Sequence, residues 1–184
     1  NPGTYTTMLL QGTELGRDDS IKKYNMKSKY RIVPKDFGSY RGKKVFEIER
    51  VCVENNTMPY KDFMECRKFS LLIEFFTYSM FFLPKKLCKE IKVPFFEFVW
   101  QIFQKLENQS NEVPIQFLKI YNEFANECKA ELFESKEDIY EFYSKDENYK
   151  KLLDKRLGNN LLSKYASKLI SHALHEVFDF SLNL

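Results

Sequence analysis

The chain has little of what metal or nucleophile chemistry needs: four cysteines and two histidines in 184 residues, with no Cys-x-x-Cys pair among them. Cys52, Cys66, Cys88 and Cys128 are widely separated, so zinc or iron-sulfur ligation within this chain is not expected. His172 and His175 are close enough to share a helix face, but spacing supplies no third ligand, and they read as ordinary helix histidines. Glycine is scarce as well. After Thr57 only Gly158 remains, and neither G-x-S-x-G, G-x-G-x-x-G nor a Walker loop occurs; the turn F-G-S-Y-R-G-K at Phe37 to Lys43 lacks the required spacing. Charge of one sign is missing: 29 basic and 26 acidic side chains alternate along the chain, which excludes a basic stripe for nucleic acid. Lys22-Lys23, Lys43-Lys44 and Lys85-Lys86 read as solvated turns and helix ends. A membrane span is not expected either. The most apolar run, residues 69 to 83, falls short of the roughly 20 residues a span requires and carries Glu74 near its middle. With no signal peptide, the scattered cysteines read as reduced small apolar groups, and cytoplasmic residence is the expectation.

Large rings are what the sequence has in abundance. Eighteen Phe, eleven Tyr and one Trp concentrate between Phe63 and Tyr143, which predicts a core or interface built on aromatic area. Apolar residues at 43% and charged residues at 30% place the chain among ordinary folded proteins. The expected fold class is mainly α: a helical bundle preceded by a short strand- and loop-rich segment. Residues 1 to 56 hold five of the six glycines and form the extended segment, and residues 57 to 184 form the helical domain.

In the first section, Thr6 to Leu10 is a short strand candidate, and Asp18 or Asp19 caps a short helix that stops at Asn25. Tyr30 to Val33 is extended because Pro34 disfavours the α region before it. Asp36 to Lys43 reads as a loop. Lys44 to Glu54 is a strand whose alternation changes near Glu49 to Arg50, as a bulge would produce. A long helix is then expected from Thr57, as cap, to Phe82, ended by Pro84. Helices follow from Pro94 to Glu107 and from Pro114 to Phe133, each introduced by proline. Ser135 with Asp138, and Ser144 with Glu147, resemble capping arrangements, and Gly158 is placed as the residue that closes the second of these helices. The last helix spans about Asn160 to Phe178.

One constellation stands out. Arg67, Ser70, Glu74 and Thr77 recur at intervals of three and four, which draws one narrow polar line along an otherwise apolar helix. Two readings stay open: the line is the thin solvent-facing edge of a core helix, or Arg67 and Glu74 point into a cleft between this domain and a further part of the protein. Glu47 and Glu49 share a strand face, a common surface pattern.

Met8 to Leu15, M-L-L-Q-G-T-E-L, is followed by Arg17-Asp18-Asp19 and by K-K-Y-N-M-K-S-K-Y-R-I-V-P at Lys22 to Pro34. F-G-S-Y-R-G-K, then E-I-E-R-V-C-V at Glu47 to Val53 and T-M-P-Y-K-D-F-M-E-C-R-K-F at Thr57 to Phe69, complete the order. This order resembles the region after the catalytic barrel in radical S-adenosylmethionine proteins that carry an N-terminal cobalamin-binding-type domain. The resemblance covers Met8 to Phe69 and includes no catalytic signature. It implies a parent enzyme whose iron-sulfur cluster, S-adenosylmethionine and cobalamin are held elsewhere, and that the chain is a C-terminal piece partnered by missing N-terminal domains. It also implies that Thr13 and Glu14 lie near the exit of the last barrel strand, that Arg17, Arg31 and Glu49 secure the extended connection, and that Arg67 faces the barrel. The alternative for Thr13, Glu14 and Arg31 is that they satisfy backbone groups in a loop-rich segment. Beyond Phe69 the family pattern is not recognised.

Three functions follow from these readings: an accessory, substrate-side domain of a radical enzyme, inactive alone; a helical module whose aromatic face binds a protein partner; and a small independent enzyme using Arg67 and Glu74. The first predicts open backbone edges or exposed apolar groups in the N-terminal segment. The second predicts an exposed aromatic patch on the helices.

Overall fold

Arg41 and Gly42 both take left-handed backbone angles, φ 49° and 74°, as a tight two-residue hairpin turn requires. They join β1 (Lys27–Tyr40) to β2 (Lys43–Glu54) in a two-stranded antiparallel sheet. This computed structural model describes residues 6–80 and 82–183, and for Tyr78 and Ser79 the backbone only. The segment from Asp36 to Lys43, expected as a loop, is therefore mostly strand. The register pairs Ile32 with Ile48 and Phe37 with Phe46, so the residues between Ile32 and Phe37 bulge out of β1, with Lys35 at φ 72°. No irregularity falls at Glu49 to Arg50; besides the bulge in β1, the register shifts between Lys27 and Ser28, where β2 carries Val53 as the extra residue. Val51, Cys52 and Val53 all read as apolar because all three are buried.

Contacts divide the described residues into two compact units: residues 6–64 with 128–160, and residues 65–127 with 161–183. The boundaries fall within two helices, α2 (Tyr60–Glu74) and α5 (Ile115–Ala130).

In the hairpin unit, α1 (Asp18–Lys23) starts at Arg17 without a side-chain cap and ends at Asn25, in the left-handed region at φ 49°. Thr6 to Leu10 contributes a single bridge, Met8 to Val51, supported by Leu9 N–H to Arg50 O at 2.8 Å. On the other side of the sheet Tyr30 and Phe133 exchange backbone hydrogen bonds at 2.9 and 2.8 Å. That contact brings in α6 (Lys136–Ser144) and α7 (Asp146–Leu153). Ile32, Ile139, Tyr143, Tyr149 and Leu152 form the core there, with Phe46 and Ile48 packed against it. The capping box at α6 is complete: Asp138 N–H donates to Ser135 Oγ at 3.1 Å, and Ser135 N–H to Asp138 Oδ2 at 3.0 Å. The equivalent expectation for Ser144 fails, since Lys145 occupies the cap position of α7 and makes no side-chain cap. Gly158 does not close α7 either. Lys155, at φ 57°, does so, with Arg156 N–H donating to Lys151 O at 2.8 Å and Lys155 N–H to Leu152 O at 2.9 Å.

The long helix begins at Tyr60 rather than Thr57, whose own N–H is taken by the Asn55 side chain at 2.9 Å, and its later turns belong to the helical unit. After Glu74 it widens into a π-helical turn, Phe75–Ser79, in which Met80 N–H donates to Phe75 O at 3.1 Å and Phe82 N–H to Thr77 O at 2.8 Å. Phe82 takes φ 61° and breaks the run. Pro84 therefore sits in the first turn of a new helix, α3 (Leu83–Glu90), where a missing N–H costs nothing, instead of ending the old one. α4 (Phe95–Glu107) starts at Pro94 as expected, and α8 (Leu161–Leu182) completes the unit. Its core is aromatic: Phe69 meets Phe103 edge-on at 5.4 Å, Phe76 meets Phe98 at 5.4 Å, and Phe124 meets Tyr165 at 5.4 Å.

Candidate functional site

The polar line on α2 and the π turn that follows it is mixed in exposure. Ser70 is 6% exposed and Thr77 is fully buried, while Arg67 and Glu74 are half-buried. Ser70 satisfies itself by donating to Cys66 O at 2.6 Å, one helical turn back. Thr77 Oγ1 is buried with no hydrogen-bond partner among the described residues, on the π turn where the helical ladder is loosened. No ion pair or hydrogen bond to Glu74 is found among the described residues. A half-buried carboxylate three residues from an orphaned hydroxyl, at a π-helical turn, is the least self-satisfied polar feature of the helical unit.

Arg31 and Glu49 face each other across the sheet, as partners in register. The Arg31 Nε–H donates to Glu49, and Nη1 donates to Glu131 Oε1 at 3.0 Å. The three side chains are 14%, 10% and 20% exposed. Burial pulls the guanidinium down, but Glu131 and Glu49 outweigh it and leave Arg31 above its ordinary value. Glu131 lies in the segment after α5 and carries no sequence signal for this role.

The remaining candidates belong to an exposed loop. Thr13 Oγ donates to Leu10 O at 2.7 Å and accepts from Gly16 N–H at 3.2 Å, closing the loop on itself. Gly16 passes so near Leu10 that a Cβ there would lie 2.0 Å from its carbonyl oxygen. Glu14 and Arg17 are exposed, and the Arg17 carbonyl accepts the first bond of α1, from Ile21 N–H at 3.0 Å. Met8, Leu10 and Leu15 are 44%, 49% and 42% exposed within the same short stretch.

Sequence reasoning missed a second buried polar cluster. Tyr121, 1% exposed, donates its hydroxyl to Glu107 Oε1 at 2.7 Å, and Lys68 pairs with the same carboxylate. Burial, and then the Glu107 charge, push the Tyr121 phenol well above the usual tyrosine range. Lys68 pairs with the carboxylate that holds the phenol, so the three groups satisfy one another, and we read the cluster as a strut.

Among the described residues no group of three or more His, Cys, Asp or Glu side chains is placed to hold a metal ion. The residues present therefore do not fit the iron-sulfur cluster that the resemblance implies for a parent enzyme, and no chemistry is routed through one here. No described helix is long and apolar enough to cross a membrane. The fold defines a mainly α protein with a small two-stranded sheet on its N-terminal side. No protein-family model matches the chain, and no curated protein matches it.

Proposed function

We propose that the chain is an accessory, substrate-side domain of a multidomain radical S-adenosylmethionine enzyme, inactive alone, with its cluster and cobalamin on preceding domains. The motif order from Met8 to Phe69 motivates this reading. The observation that carries it is the exposure of Met8, Leu10 and Leu15 in the loop where the resemblance puts the barrel exit. Three large apolar groups in eight residues gain free energy when covered, at about 25 cal/mol per Å². β2 supports the same reading: from Lys43 to Glu49 no third strand lies beside it among the described residues, and Val45 is 45% exposed. Arg31 and Glu49 act in this proposal as the clamp that keeps the hairpin in register. Glu74 and Thr77 are the groups left for a ligand or a neighbouring domain. The cytoplasm is the compartment that suits such an enzyme and its reduced thiols. The coding sequence upstream of Asn1 tests the proposal: it should encode a Cys-x-x-x-Cys-x-x-Cys loop. A reading frame without that loop, or one that starts at Asn1, would overturn it.

A second reading, a helical module that binds a protein partner, is favoured by one observation. Phe96 and Trp100 stack at 6.0 Å while 58% and 39% exposed, with Phe69 at 5.6 and 5.8 Å. Phe96→Ala with Trp100→Ala would separate the two, since only the second reading loses its partner in a pull-down with both rings removed.

A further inference from the structure

A cavity of about 440 Å³ opens in the helical unit between α3, α4, α8 and the π turn. That is within the range of roughly 300 to 1,000 Å³ that small-molecule sites occupy. Phe76, Leu87, Cys88, Phe98 and Phe178 are among its lining. Its polar groups make almost no demand on a ligand. Ser181 already donates to Val177 O at 2.6 Å, and Gln101 is exposed. Leu83, Ile91 and Leu182, which also line it, are 53%, 59% and 55% exposed, apolar area that water covers at a cost.

On the α3 wall of this recess the charge is mostly positive, whereas Glu97 and Asp179 adjoin the lining residues Phe98 and Phe178 on α4 and α8. On α3 successive residues turn by about 100°, so Pro84, Leu87, Cys88 and Ile91 share the lining face. Lys85 flanks that face, and Lys92 stands between the lining residues Ile91 and Val93. Lys86 and Lys89 add to the same segment, against a single acid, Glu90. None of these four lysines forms an ion pair among the described residues, whereas Lys68, Lys105, Lys164 and Lys168 in the same unit each have a carboxylate. An apolar recess with uncompensated cations at its side suits a molecule with an apolar tail and an anionic head. A membrane surface would press on a protruding apolar face, and here the apolar groups line a hollow.

We propose that this cavity binds a single-chain anionic amphiphile, a long-chain fatty acid anion, with the chain in the recess and the carboxylate at Lys85 and Lys92. The inference stands apart from the radical-enzyme reading and does not depend on it. The probe is 11-(dansylamino)undecanoic acid, titrated into the chain and followed by its fluorescence. Saturable binding of one probe per chain, displaced by palmitate and not by hexadecanol, is expected. Val93→Trp, which fills the mouth, should abolish it. Lys85→Glu with Lys92→Glu should weaken it by about tenfold, and because neither lysine is in the core this variant carries the test even where the tryptophan variant misfolds. Ile115→Trp, on a strongly exposed site of α5, should leave binding unchanged. The proposal is overturned by absent or unsaturable binding, by hexadecanol competing as well as palmitate, by affinity indifferent to both lysines, or by capture on anionic vesicles without binding of the monomeric acid.

Discussion

One buried polar site in each unit is handled in the opposite way to the other. In the hairpin unit, Arg31 is held between Glu49 and Glu131, so a buried charge is balanced on two sides. In the helical unit, Thr77 is fully buried and its hydroxyl has no partner among the described residues, three residues from a half-buried Glu74. A satisfied network holds a shape, and an unsatisfied group costs stability that the fold must recover elsewhere. The difference separates residues that build the chain from residues left over by its building, and the second kind is where we place function.

The largest effect should come from breaking the first pattern. Arg31→Met leaves two carboxylates facing each other in a partly dry site, and we expect a loss of about 3 kcal/mol in urea unfolding. Adding Glu49→Gln and Glu131→Gln should recover most of it. A loss under about 1 kcal/mol would mean that solvent already screens the cluster. Next comes Tyr121→Phe, which removes a hydroxyl bonded to a carboxylate and should cost about 2 kcal/mol at neutral pH. The phenol is held above its unfolded value, so its contribution is complete below about pH 10 and is lost as pH rises further. The wild type should lose stability above that pH more steeply than the variant, and parallel alkaline curves would count against the assignment.

Ser135→Ala, at the complete capping box of α6, should cost about 1 kcal/mol, read as a lower thermal midpoint. The smallest effect has the opposite sign. Thr77→Val removes an orphaned hydroxyl and should be neutral or stabilising by up to about 1 kcal/mol. Destabilisation by as much would show that the hydroxyl has a partner, and the contrast between the two sites would disappear.

Local signals in the sequence carried much of the fold. Pro94 and Ser135 start helices where their chemistry directs, and Asn25 ends α1 in the left-handed conformation. The failures share a cause. Lys92 and Lys155 adopt positive φ without being glycine or asparagine, so the ends of α3 and α7 had no residue to announce them. Pro84 was ambiguous because proline both stops one helix and opens another, and only the left-handed Phe82 decides between them. The candidate site was legible as a line of polar residues but not as a buried one. Burial of Ser70 and Thr77 depends on side chains brought in by distant segments, and Glu131 reaches Arg31 from 100 residues away.

The central proposal places catalysis, where this chain takes part in it, on preceding domains of a longer protein. Anaerobic reconstitution of the complete gene product with iron and sulfide, followed by reduction and addition of S-adenosylmethionine, tests it by the release of 5′-deoxyadenosine. The account predicts release from the complete product and none from these 184 residues treated in the same way. Release from the 184-residue chain alone, or none from a complete product that folds, would contradict it.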